Sequence, residues 1–142
     1  MVIGKQVHIA HVGDTKAYIV FPDRMEQVTD VHDTIHLCIR MGEITWEDIL
    51  SGRVRYKNVL YRAFGQTDDI EVDTISRELD NGDSLLLCSN GIWGGIKDEQ
   101  IQELILRYPD PQEACEQLIA SASEQRKEWQ DNMTAIVVQM RA

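Results

Sequence analysis

The residues that most constrain this chain are Leu85-Leu86-Leu87-Cys88-Ser89-Asn90-Gly91. A short apolar run stops abruptly at a small polar residue followed by glycine. That pattern predicts a buried strand ending in a sharp turn, with the Asn90 side chain aimed out of the strand end. A rigid sheet that holds a polar group where solvent reaches it is a common place for chemistry. Two other positions match it. Asp14 follows Gly13 at the tip of a hairpin signal, and Asp131 stands just before the closing run Met133-Thr134-Ala135-Ile136-Val137-Val138. Three short oxygen-bearing side chains at three strand ends could converge on a hard cation. The same residues also read as three ordinary turn residues, since Asp and Asn favour turns. Both readings stand at this level.

Taken in order, Gln6 to Val12 alternates as a strand, and Gly13-Asp14 suits the two-residue loop of a hairpin. Lys16 to Phe21 is the returning strand, and Pro22-Asp23 turns into a third at Met25 to Thr29, giving a three-stranded meander. Asp30 is placed to cap a helix with apolar positions Val31, Ile35, Cys38 and Ile39, stopped by Gly42. Thr45-Trp46-Glu47-Asp48 has capping-box spacing for a second, short helix. Ser51 to Lys57 is basic and irregular, and Asn58 to Phe64 is apolar up to Gly65. Ile70 to Leu79 resumes a strand, and Asn81-Gly82 is a strong hairpin signal leading into the Leu85 strand. Two helices follow. The first carries Ile101, Leu104, Ile105 and Tyr108 on one face. The second opens with Asp110-Pro111-Gln112-Glu113 and buries Cys115, Leu118, Ile119 and Ala122. Met133 to Met140 closes the chain as a strand.

Length and charge narrow the function. The 142 residues suit one domain, 1–142, with 30–69 as a flap-like insert within it. A net charge of −10 repels phosphate backbones, which argues against nucleic-acid binding. No apolar run is long enough to span a membrane, and the N-terminus lacks the features of a signal peptide, so a cytoplasmic location is expected. Cys38, Cys88 and Cys115 are scattered among apolar residues without metal or disulfide spacing, as in a reducing compartment. His32 and His36 have helical i, i+4 spacing and read as surface histidines rather than a metal pair. Arg53, Arg55 and Lys57 form a basic run, read as a solvated loop or as a contact for an acidic or phosphorylated partner. Trp46 and Trp93 are expected to pack beside turns, Trp93 along the pocket.

With these motifs in place, a resemblance emerges. His11-Val12-Gly13-Asp14-Thr15-Lys16-Ala17-Tyr18 resembles the Gly-Asp-Ser-Arg hairpin of the metal-dependent, type 2C protein phosphatases. Met41-Gly42-Glu43-Ile44-Thr45 and Asn58 to Gly65 are similar to that family's flap. Leu85 to Trp93 resembles its Leu-Leu-Cys-Ser-Asp-Gly strand end, and Asp131-Asn132-Met133-Thr134 its closing Asp-Asn-Ile-Thr motif. All four stand in family order. The resemblance implies an α+β fold: a type 2C phosphatase-like α/β/β/α sandwich, antiparallel or mixed sheets flanked by helices, in truncated form. It also implies hydrolysis of phosphoserine and phosphothreonine by water held between two Mg²⁺ or Mn²⁺ ions. Paired hard cations lower the pKa of bound water and neutralise charge on the phosphate.

The departures set the functional expectation. The family's Asp-Gly metal-bridging motif and its phosphate-holding basic residue precede the Gly-Asp hairpin, and Met1 falls almost directly before that hairpin here. Asn90 replaces the aspartate of Ser-Asp-Gly, a degenerate ligand position that keeps an oxygen but no charge. Trp129-Gln130 replaces the glycines before Asp-Asn. Among the aligned metal positions Asp14 and Asp131 keep carboxylates, and no catalytic residue is assigned. The expectation is therefore a catalytically impaired module in phosphoserine/phosphothreonine signalling, with weak or no Mg or Mn binding. Its partners are expected to be a protein, a second copy or a phosphoprotein, docking where sheet faces and edges are open. The alternative is the C-terminal part of an active phosphatase.

Overall fold

The computed structural model describes residues 1–54, 58–125 and 131–141. Among the described residues, seven strands and five helices follow one another as β1 (Val2–Ile3), β2 (Gln6–His11), β3 (Lys16–Val20), β4 (Met25–Gln27), α1 (Thr34–Arg40), α2 (Trp46–Leu50), β5 (Asp73–Glu78), β6 (Ser84–Cys88), α3 (Asn90–Trp93), α4 (Asp98–Arg107), α5 (Pro111–Glu124) and β7 (Ala135–Gln139). The strands form two antiparallel sheets, one ordered β1-β2-β5 and the other β4-β3-β6-β7.

Two hydrophobic clusters stack the layers. Tyr18, Leu86, Cys88 and Val137 on one face of the four-stranded sheet pack against Ile101, Ile105 and Leu118 of α4 and α5. Ile19 and Leu85 on its other face meet Val7 and Leu79 between the sheets. Burial on both faces explains why β3 and β6 read as continuous apolar runs rather than alternating ones. The three-stranded sheet alternates instead, with Gln6, His8, Ala10, Thr74 and Ser76 exposed on its outer face.

Both hairpin signals are overturned. Gly13-Asp14 does not turn β2 back onto β3, because β2 pairs with β5 and β3 pairs with β4 and β6. The chain crosses from one sheet to the other there, with Gly13 at φ 105. Asn81-Gly82 likewise joins β5 in one sheet to β6 in the other, so it is an arch. A turn motif fixes a local reversal but not which strand lies alongside. In both cases, burial of apolar faces between the sheets decided the pairing. The meander reduces to one pair, Tyr18 to Val20 against Met25 to Gln27.

The first helix begins later than expected. Asp33, not Asp30, is its N-cap, accepting from the backbone N–H of His36. The Asp30 carbonyl instead receives a hydrogen bond from His11 Nε2, and Val31 and His32 are buried in extended chain. The Thr45–Asp48 capping box and the Asp110 cap with Pro111 at the start of α5 form as expected.

Candidate active site

The end of β6 and the start of α3 hold the centre of the site. Ser89 closes the strand by a backbone bond to the Thr134 carbonyl at 3.0 Å, and its hydroxyl donates to the Asn132 carbonyl at 3.1 Å. These bonds draw the segment 131–134 against the turn. Gly91 is required there: a Cβ on it would lie 2.5 Å from the Asn132 carbonyl oxygen and 2.8 Å from that of Asp131. From the other side, Trp93 donates its indole N–H to the Asp14 carbonyl at 3.0 Å. Asn90 then donates from Nδ2 to Oδ2 of Asp14 at 3.2 Å. Asp14, Asn90 and the Asp131 backbone are therefore gathered at one end of the four-stranded sheet. The carboxylate of Asp131 is exposed and accepts the N–H of Asn132 at 2.8 Å.

Around this end lie groups whose positions the sequence did not disclose. Lys16 is largely buried, with its ammonium 4.3 Å above the Trp93 ring, and burial depresses its pKa against the opposing pull of Asp98. The same burial raises the Tyr18 hydroxyl, which donates to Asp98, and pushes the Cys88 thiol up to about 12. Such a thiol stays protonated and is no nucleophile.

Histidines hold the approach to Asp14, and neither His32 nor His36 lies loose on the surface as expected. His32 is fully buried ahead of α1. Its Nδ1 accepts the N–H of Gly13 at 3.1 Å, so the ring proton sits on Nε2 and is donated to Asp73 at 2.9 Å. Arg62 binds the other oxygen of Asp73 at 2.8 Å. Burial alone would raise the Asp73 pKa, but the hydrogen bonds from His32 and Arg62 outweigh it and hold it below the ordinary carboxylate value. His11 packs on His32 with ring centroids 4.8 Å apart. His36 turns the other way: its Nδ1 donates to the fully buried Asp33 carboxylate at 2.8 Å, and its ring meets the edges of Trp46 and Trp93. The i, i+4 spacing brought no metal pair because His32 precedes the helix. Arg53 is paired with Glu47, while Arg55, Lys57, Trp129 and Gln130 lie outside the described residues.

Of the expected cation donors Asp14, Asn90 and Asp131, the side chains of Asp14 and Asn90 are in direct contact, and Asp131 is brought near them by its backbone. Among the described residues, no three His, Cys, Asp or Glu side chains are grouped to hold a metal ion. A divalent hard cation takes about six oxygens.

Two stacked antiparallel sheets with helices on one side, and a polar cluster at the sheet end, define a domain of the type 2C phosphatase fold. The fold comparison agrees. The Mycobacterium tuberculosis serine/threonine phosphatase PstP/Ppp superposes with a TM-score of 0.86 at 26% identity, covering 100% of this chain and 58% of that one. A PstP catalytic domain solved in complex with two manganese ions superposes with a TM-score of 0.76 at 25% identity, over 96% of this chain and 54% of that one. In sequence, the serine/threonine phosphatase stp of Listeria innocua is 34% identical over 134 residues, 94% of this chain and 52% of its own length. The chain spans about half the length of the curated relatives it matches. The profile of the Stage II sporulation protein E (SpoIIE) family matches residues 51–141, and the chain belongs to that family, within the type 2C phosphatase-like group.

Proposed function

We propose that this chain is a phosphatase-like domain that serves as a protein-binding module in phosphoserine/phosphothreonine signalling and does not hydrolyse phosphoesters alone. The observation that carries this reading is the hydrogen bond from the Asn90 amide to the Asp14 carboxylate. An N–H points at the oxygen that a cation would need, and the neutral amide withholds the charge on which affinity for Mg²⁺ or Mn²⁺ depends. Asp14 and Asp131 remain as a residual site in which either ion is held weakly. A cytoplasmic setting fits the three free cysteines, and no helix of the described residues is long and apolar enough to cross a membrane.

A second reading is favoured by the relatives' names. On that reading the chain is part of an active Mg- or Mn-dependent serine/threonine phosphatase, with the remaining ligands supplied by further sequence. The two readings part on one assay: hydrolysis of p-nitrophenyl phosphate and of a phosphothreonine peptide, with and without Mn²⁺, by this chain joined to the N-terminal half of its Listeria innocua relative. The non-catalytic reading gives rates equal to blank under both conditions. Turnover abolished by EDTA and by Asp131→Ala would establish the second reading instead.

A further inference from the structure

Hydrogen bonding sets one of the chain's four histidines apart from the other three. His8 stands exposed on β2, its Nδ1 2.9 Å from the Ser76 hydroxyl. His11 is buried with Nε2 on the Asp30 carbonyl, and His32 is buried with both ring nitrogens engaged. His36 differs. Its Nδ1 is held by a carboxylate, and its Nε2 meets no hydrogen-bonding partner among the described residues.

The local sequence explains the arrangement. Asp33 caps α1, and His36 follows three residues later, in the first turn of that helix. The Asp33 side chain is fully buried and accepts from three N–H donors: the His36 backbone at 2.7 Å, His36 Nδ1 at 2.8 Å and the Asn58 amide at 3.0 Å. With the ring proton held on Nδ1, the lone pair belongs to Nε2. Capping the helix needs only the backbone bond, so the bond to the ring is additional. Trp46 and Trp93 both pack on the imidazole, nearly perpendicular to it, with centroids 5.2 and 6.2 Å away. The His36 side chain keeps 18% of its surface open to solvent. Lys16 adds a cation nearby: its ammonium lies 4.3 Å from the centre of the Trp93 ring and feels the charge of Asp33.

We propose that His36, oriented by Asp33, is a nucleophile that accepts a phosphoryl group from a small activated donor of the phosphoramidate or acyl phosphate class. An imidazole whose one nitrogen is held by a carboxylate presents the other as an oriented, reactive base. With phosphoramidate, the Nε2 lone pair forms a new N–P bond. The donor's own P–N bond breaks, and its already protonated amine leaves as ammonia with the bonding pair. The positive charge passes to the imidazole ring, where the Asp33 carboxylate stabilises it through the Nδ1–H bond. The Lys16 ammonium offsets the repulsion that Asp33 exerts on an anionic donor.

Incubating the whole chain with phosphoramidate and mapping acid-labile adducts by mass spectrometry tests this. His36 should be phosphorylated at least tenfold faster than His8, although His8 is the more exposed of the two. Asp33→Asn keeps an N-cap acceptor but removes the charge. It should slow reaction at His36 at least tenfold and leave His8 unchanged, with far-UV circular dichroism checking its fold. Reaction at His36 no faster than at His8 would overturn the proposal. So would a folded Asp33→Asn that reacts at His36 as fast as the wild type. If Asp33→Asn does not fold, the comparison of the two histidines within the wild-type chain decides by itself. Neither measurement involves Mn²⁺ or ester hydrolysis, so the functional reading above stands or falls separately.

Discussion

The backbone N–H of Gly13 donates to Nδ1 of His32, and the opposite nitrogen of the same ring donates to Asp73 at the start of β5. One buried imidazole thus ties the sheet-crossing turn that carries Asp14 to the neighbouring sheet. Truncating it removes one buried and one part-buried hydrogen bond and opens a cavity. His32→Ala should cost about 2–4 kcal/mol of unfolding free energy, read from urea denaturation. His32→Asn, which keeps an acceptor for Gly13, should recover part of the loss. Equal losses in the two variants would show that the ring's volume, not its hydrogen bonding, matters.

How far the sequence disclosed this arrangement follows from the range of each interaction. The caps at Thr45 and Asp110 were legible because capping is settled within four residues. Burial of the Leu85 run was legible from its composition. The sheet assignment of β2 and β3 was not, since Gly13-Asp14 is as suitable for crossing between sheets as for a hairpin. The gathering of Asp14 with Asn90 was open as one of two readings, and the hydrogen bond between them favours convergence. Nothing local announced Asp73, Arg62 or the stacking of Lys16 on Trp93, because each partner is supplied by a distant segment.

Gly91 gives a sharp steric test. An added methyl would press on the Asn132 and Asp131 carbonyls, which are backbone and cannot swing aside. Gly91→Ala should destabilise by about 3 kcal/mol, the upper part of the range for overpacking. A thermal melt would check it, and an unchanged melting temperature would mean that segment 131–134 does not lie against the turn.

His11 predicts a pH dependence. Burial lowers its pKa below the ordinary 6.5, opposed by its hydrogen bond to the Asp30 carbonyl. With the folded value below the unfolded one, its contribution to stability is complete above about pH 6.5 and declines as pH falls through the folded pKa. Melting temperatures between pH 7.5 and 5 should therefore fall more steeply for the wild type than for His11→Gln. Parallel profiles would contradict this assignment.

The account rests most heavily on Asn90. Asn90→Asp would replace the amide N–H that contacts Asp14 with a second carboxylate, raising the negative charge available to a cation. Without metal, the variant should melt slightly lower than the wild type because like charges are brought together. With metal it should gain. The decisive measurement is calorimetric titration of Mn²⁺ into both proteins. The account predicts weak or undetectable binding by the wild type and affinity higher by about tenfold or more in Asn90→Asp, since even changes to outer partners of metal ligands alter affinity by that much. Equal affinity in the two proteins would contradict it, leaving Asp14, Asn90 and Asp131 as turn residues that meet without forming a cation site.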